Sequence, residues 1–270
     1  MAPYGVTLSQ STEAFREMNR PVPPFRIMGN LYYVGANSVT SFLIATPEGH
    51  ILIDGGFVET VPIIRRGVEQ LGFRFEEIRI LLNSHGHIDH AGGLARIKRL
   101  TGARMIASER EAPLLEHGGR GDDLLGERGY YEPVEVDRRL PDRGTVELGG
   151  MKLTAHVTAG HTRGCTSWAF EIDDDGQSRL AVAICSLTIL PGAELVDDPT
   201  YPGIAEDYAR SIERLASLPC EVFLAAHAGF FRMSDKRARL EEGRNPFIDP
   251  EGYREYLARA KRRLQQRLGP

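Results

Sequence analysis

Within Ser84-His85-Gly86-His87-Ile88-Asp89-His90, three imidazoles and one carboxylate crowd into six residues, immediately after the apolar run Ile78 to Leu82. Imidazole nitrogen and carboxylate oxygen are ligands zinc accepts, and catalytic zinc keeps a coordination position open beside about three protein ligands. His85 and His87, at i and i+2, read as two imidazoles on a tight loop leaving a strand. Asp89 and His90 supply a second nitrogen and oxygen pair pointing elsewhere. One loop can thus feed two adjacent ions, each needing at least one more ligand from distant sequence. A polar turn with solvent-facing histidines would suit any one of these residues, but not all four together.

The chain has eight histidines, which leaves His50, His117, His156, His161 and His227 to complete such a site. His161 stands in the glycine-flanked turn Ala159-Gly160-His161-Thr162-Arg163-Gly164, and His227 ends the apolar run Val222 to Ala226. Both sit at strand ends, where a rigid sheet can aim a side chain at a fixed point. His156 falls mid-strand and His50 follows a turn, so both read as structural or exposed. His117 belongs to a glycine-rich, charged run, Glu116 to Asp123, read together with Tyr130 and Tyr131 as a mobile surface loop.

The elements that must position these residues follow from periodicity and turn signals. Short strands are predicted over 26–34, 38–45 and 50–54, interrupted at Met28-Gly29-Asn30 and Pro47-Glu48-Gly49. Val61 to Leu71 has a helical face, and Ile78 to Leu82 is a buried-type strand. Ala91 to Leu100 reads as a helix with Asp89 at its N-cap. Strands return at 151–158, 167–172, 180–184 and 221–226, with helices over 208–218 and 250–268. Asp173-Asp174-Asp175-Gly176 lacks the span and closing glutamate of a calcium loop and reads as a hairpin turn.

At 270 residues and 41% hydrophobic content, the chain can bury a substantial core. No linker is evident, so we read an N-terminal extension over 1–20 and a single domain over 21–270, built from two strand-then-helix halves. A net charge of -4 and a pI near 6.1 exclude a mainly electrostatic nucleic-acid partner. No apolar run reaches the roughly 18 residues of a membrane span. Arg259, Arg262, Arg263 and Arg267 form a solvated helix face. Residues 1–20 lack the basic and apolar regions of a secretory signal, so the chain is either cytosolic or separated from its signal. Cys165, Cys185 and Cys220 are too few for a disulfide framework, and buried, inert thiols are expected.

The His-x-His-x-Asp-His loop, with single histidines after later strands, resembles the metallo-β-lactamase superfamily. The stretches His50 to Phe57, Asn83 to Gly93, Gly118 to Asp122, Gly160-His161-Thr162, Ser186-Leu187-Thr188 and Ala225-Ala226-His227 look most like the third subclass of class B β-lactamases, and the similarity runs from about Pro21 onward. This resemblance implies an α/β protein with the αβ/βα four-layer sandwich and two zinc ions. His85, His87 and His161 would hold the first ion, and Asp89, His90 and His227 the second. It implies zinc-dependent hydrolysis of a small-molecule β-lactam by hydroxide held between the ions, with Asp89 orienting the nucleophile and Ser186 and Thr188 receiving the substrate carboxylate. Asp54 would support a metal ligand or cap the following Gly-Gly turn. A periplasmic or secreted location and a monomer are expected, with an oligomer left open.

Two positions depart from the pattern. Arg163 stands where the family usually has proline, and Cys185-Ser186 stand near the place of a metal-bridging aspartate found in many superfamily hydrolases. A register shift of one residue would make Cys185 a ligand, because adjacent strand residues face opposite sides. The rival expectations are another hydrolase of the superfamily, acting on a lactone, thioester or phosphodiester, and a zinc-stabilised binding module without activity.

Overall fold

In the computed structural model, which describes residues 12–122 and 125–269, two β-sheets face each other with helices on their outer sides. The first sheet is formed by β1 (Phe25–Met28), β2 (Leu31–Tyr33), β3 (Phe42–Thr46), β4 (Gly49–Ile53), β5 (Ile78–Leu82), β6 (Arg104–Ser108) and β7 (Arg138–Leu140), in that order. It is antiparallel through β4 and parallel from β4 to β7. The second sheet runs β12 (Val222–Ala225), β11 (Gln177–Ile184), β10 (Thr166–Asp174), β9 (Met151–Val157) and β8 (Thr145–Leu148). Helices α2 (Val61–Gln70) and α4 (Leu94–Thr101) cover the first sheet, and α6 (Ile204–Ala216) and α8 (Pro250–Leu268), with the short α7 (Met233–Ala238) between them in the chain, the second. This is the αβ/βα sandwich.

Successive strand side chains alternate faces, and the first sheet uses both. Ile53, Leu82 and Ile106 are register partners that point into the space between the sheets. Leu52, Leu81 and Met105, one residue earlier, meet Val61, Ile64, Val68, Leu94 and Ile97 of the outer helices. The second sheet contributes Trp168, Phe170, Ala181 and Leu224 to the inner layer, all fully buried or nearly so. Burial on both faces leaves the strand ends as the place for polar side chains.

Several elements follow the sequence closely. Helix α8 begins at Pro250, with Asp249 capping it by accepting from the Gly252 N–H at 2.8 Å. The 173–176 turn is a hairpin in which Asp174 pairs with Gln177, and Asp175 and Gly176 both take positive φ (52° and 85°), as a two-residue type I′ turn requires.

Other expectations are corrected. Asp89 is not an N-cap: the short helix α3 (Ile88–Ala91) starts after His87, and α4 starts separately at Leu94. The break falls at Gly92-Gly93, where a Cβ on Gly93 would lie 2.3 Å from the Gly55 carbonyl oxygen, so the chain bends to let the backbones meet. Helix α6 starts at Ile204, one turn before the expected Tyr208. The glycine-rich run is anchored rather than a free surface loop: α5 (Ala112–Glu116) precedes it, Gly118 and Gly119 are buried, and Tyr131 is 4% exposed. Asp123 of that run lies outside the described residues. Of the N-terminal extension, α1 (Glu13–Met18) packs Phe15 against Phe57 at 4.9 Å between ring centroids.

Candidate metal centre

The residues singled out by type and spacing leave the C-terminal ends of strands that point toward one edge of the sandwich. β4 and β5 are parallel, β11 and β12 are parallel, and β9 runs in the direction of β11, being two antiparallel steps away. Asp54 follows β4, the histidine loop follows β5, His161 lies four residues beyond β9, Ser186 follows β11 and His227 follows β12. The two halves are stitched beside the site, where the Thr40 hydroxyl donates to the Ala225 and Ala226 carbonyls at 2.9 Å and Val39 pairs with His227.

The donor atoms of His85, His87 and His161 lie within 4.8 Å of one another, as do those of His85, Asp89 and His90. His90 Nε2 is 3.1 Å from His227 Nε2 and 3.2 Å from Asp89 Oδ2, which is 3.4 Å from His227 Nε2. Ligands at about 2.0–2.2 Å around tetrahedral zinc stand roughly 3.3–3.6 Å apart. The Asp89, His90 and His227 atoms are therefore spaced close to what one ion would impose.

Each imidazole of the histidine loop, and His161 with them, is oriented by an acceptor on the side away from the centre. The Ser84 hydroxyl donates to Asp54 Oδ2 (2.7 Å) and so accepts from His85 Nδ1–H (3.0 Å), leaving His85 Nε2 buried, with a lone pair and no hydrogen-bond partner. His161 Nδ1–H donates to the Thr188 carbonyl (2.7 Å) and His90 Nδ1–H to Asp54 Oδ2 (3.2 Å), so both present bare Nε2. His87 is reversed, its Nε2 lying 2.6 Å from Asp122 Oδ2 and Nδ1 remaining as the ligand atom. Such outer partners fix the tautomer and orientation of metal-binding imidazoles. A buried, unpartnered nitrogen ringed by others of the same kind fits a cation.

The electrostatics agree. Burial and the neighbouring imidazoles push His85 well below its ordinary value, and push His161 down to about 3 and His227 to about 4, so all three are neutral donors near pH 7. Burial opposes ionisation of Asp89, but the surrounding histidines hold its carboxyl well below the usual range. His90 is likewise disfavoured as a cation by burial, yet Asp89 and Asp54 raise it to about 10 in the absence of metal. Asp54 therefore supports His90 while also accepting from the Ser84 N–H at 2.6 Å.

Two acidic residues have roles the motif did not reveal. Glu111, 2% exposed, accepts from the Gly86 N–H (2.5 Å), the Thr162 hydroxyl (2.9 and 3.0 Å) and the Gly164 N–H (2.8 Å), and thereby clamps the His85/His87 loop to the His161 loop. Burial lifts it to about 7 against these three donors. Asp122 holds His87, and the Tyr131 hydroxyl donates to the Gly86 carbonyl at 2.7 Å.

Ser186 is 1% exposed, and its hydroxyl oxygen accepts from the Thr188 N–H at 3.2 Å. Thr188 is half-buried and uses its carbonyl to hold His161 and the Tyr208 hydroxyl. The expected free thiols at Cys165 and Cys185 are corrected: the two form a disulfide with Cα atoms 5.9 Å apart, and Cys220 alone is a buried free thiol. Cys185 Sγ lies 3.6 Å from His85 Nδ1, behind the ring rather than on its Nε2 side. His50 packs on Phe73 and faces Glu77, His156 lies in β9, and exposed His117 borders a cleft of about 350 Å³ that reaches His161.

A sandwich with two clusters of imidazole and carboxylate donors at one edge defines a metal-dependent hydrolase, and residues 34–227 match the metallo-β-lactamase superfamily. The chain belongs to that family, whose fold implies a divalent metal, usually zinc. Among solved structures it is similar to the FEZ-1 metallo-β-lactamase of Legionella gormanii, with 43% identity and a TM-score of 0.91 over 93% of this chain and 97% of that one. It is also similar to BJP-1, a subclass B3 metallo-β-lactamase of Bradyrhizobium japonicum, with 36% identity and a TM-score of 0.89 over 94% and 97%. Among curated proteins, a hydroxyacylglutathione hydrolase of Hyphomonas neptunium is 31% identical over 56% of this chain and 47% of the relative. Another, from Rhodopseudomonas palustris, is 28% identical over 62% and 55%. The chain spans about half the length of these curated relatives.

Proposed function

We propose that the protein hydrolyses the amide bond of β-lactams using two zinc ions, one held by His85, His87 and His161 and the other by Asp89, His90 and His227. One observation carries the choice of substrate. The positions after β11, where a bridging carboxylate would mark many hydrolases of this family, hold Cys185 locked to Cys165 and the hydroxyl residue Ser186. The whole-length similarity to FEZ-1 supports the same reading.

Zinc in such a site supplies Lewis acidity, which polarises a carbonyl oxygen and makes hydroxide available near neutral pH. The chain's residues supply position. Asp89 Oδ2 faces His90 and His227, and in this reading its other oxygen accepts a hydrogen bond from the attacking water. Thr188 presents the more accessible hydroxyl for the substrate carboxylate, with Ser186 fixing its backbone. The Cys165–Cys185 disulfide fits the oxidising compartment that a periplasmic or secreted enzyme meets.

A second reading, hydrolysis of hydroxyacylglutathione thioesters, is favoured by the curated relatives. Titration of metal-depleted protein with zinc, followed by hydrolysis of a penicillin, tests the proposal. Activity should appear and saturate by two equivalents; zinc binding without penicillin hydrolysis would refute it.

A further inference from the structure

The cleft beside His161 contains a cation that the metal chemistry does not use. Arg163, two residues beyond His161, replaces the proline expected in this turn, and its guanidinium lies over the Tyr201 ring, 4.4 Å from the centroid. One of its nitrogens donates to the Thr200 carbonyl. The platform beneath it is fixed. Asp198 Oδ1 accepts from the Thr200 N–H (2.8 Å), the Thr200 hydroxyl (2.7 Å) and the Tyr201 N–H (3.0 Å), and the Tyr201 hydroxyl donates to Asp207 Oδ2 (2.8 Å).

A guanidinium offers five N–H donors in a rigid plane. Only one bond from Arg163 goes to the protein, and among the described residues no ion pair holds it. Of the acids lining the same cleft, Glu111 is bound to the two loops and Asp122 to His87, while Asp198, whose Oδ1 is held by the Thr200-Tyr201 backbone, also feels the charge of Arg163 without bonding to it. Arg110, on the same cleft, is half exposed, with Asp207 3.4 Å away. The cleft, about 350 Å³, is bordered by His161 and by Asp122, which holds His87, so it lies beside the first metal position.

We propose that Arg163, held flat on Tyr201, forms a specificity subsite for an anionic substituent, so that the enzyme prefers β-lactams whose acyl side chain carries its own carboxylate. A planar carboxylate matches the guanidinium edge and can accept two parallel N–H bonds from it. This carboxylate is additional to the one on the fused ring, which the Ser186 and Thr188 side would receive. The inference rests on the β-lactam reading and narrows it to a substrate class.

The test compares benzylpenicillin with its α-carboxy derivative, which differ by one carboxyl group in the acyl side chain, on the zinc-loaded full chain. The wild-type protein should show about three- to tenfold higher kcat/KM for the α-carboxy compound, with the gain in KM and weakening as salt screens the pair. Arg163→Gln and Arg163→Pro should erase the preference, Arg163→Lys should keep part of it, and all three should hydrolyse benzylpenicillin with zinc content unchanged. Equal kcat/KM for the two compounds in the wild-type protein, or a preference that survives Arg163→Gln, overturns this inference alone. Failure to hydrolyse either compound overturns it together with the β-lactam reading.

Discussion

Replacing Glu111 by Gln isolates the clamp between the two ligand loops. Above about pH 7, where Glu111 is ionised and the comparison is made, Oε1 accepts from the Gly86 N–H and Oε2 from the Gly164 N–H, while the Thr162 hydroxyl reaches both. Gln keeps the shape but turns one oxygen into an NH2 group. The Thr162 hydroxyl can reverse and accept; a backbone N–H cannot. Whichever way the amide lies, Gly86 or Gly164 is left with a buried N–H facing another donor. One such orphan costs about 1–3 kcal/mol, equivalent to roughly 2–12 °C in melting temperature for a chain of this size. Because Gly86 separates His85 from His87 and Gly164 follows His161, loosening either loop should weaken zinc at the His85, His87 and His161 triplet by about 10- to 100-fold. Competition against a chromogenic chelator and thermal melting of metal-free protein measure the two effects separately. Unchanged zinc affinity and a melting temperature within about 1 °C of wild type would refute the clamp.

Asp54→Ala removes the acceptor for His90 Nδ1, the Ser84 N–H and the Ser84 hydroxyl. It should lower affinity for the second zinc by about 10- to 100-fold, more than for the first, as read by stepwise metal titration. Tyr131→Phe deletes the bond to the Gly86 carbonyl and should cost about 1 kcal/mol in denaturant unfolding. Thiol titration of the unreduced protein in denaturant should find one thiol, Cys220, of the three cysteines. Paired Cys165→Ser and Cys185→Ser substitution should lower stability by about 2–4 kcal/mol, checked by the same unfolding curves.

What could be read from the sequence, and what could not, divides by the range of the interactions involved. The His85 to His90 cluster, the strand ends carrying His161 and His227, and the whole of α8 are encoded locally, in ligand spacing, apolar periodicity and the Asp249-Pro250 start. Glu111 carried no local signal, because its partners Gly86, Thr162 and Gly164 are 25, 51 and 53 residues away. The Cys165–Cys185 bridge joins positions 20 apart that only the strand layout brings together. The helix expected from Ala91 was misplaced because the contact that splits it, Gly93 against Gly55, is tertiary. The glycine-rich run reads as free for the same reason: beyond their bonds to nearby residues, Tyr131 and Asp122 are tied to the histidine loop, 45 and 35 residues away.

The central claim is tested most directly by presenting one zinc-loaded preparation with a chromogenic cephalosporin and, in parallel, a hydroxyacylglutathione thioester. The account predicts cephalosporin hydrolysis that a chelator abolishes and zinc restores, with kcat/KM far above that for the thioester. An intact cephalosporin beside a rapidly cleaved thioester would contradict it.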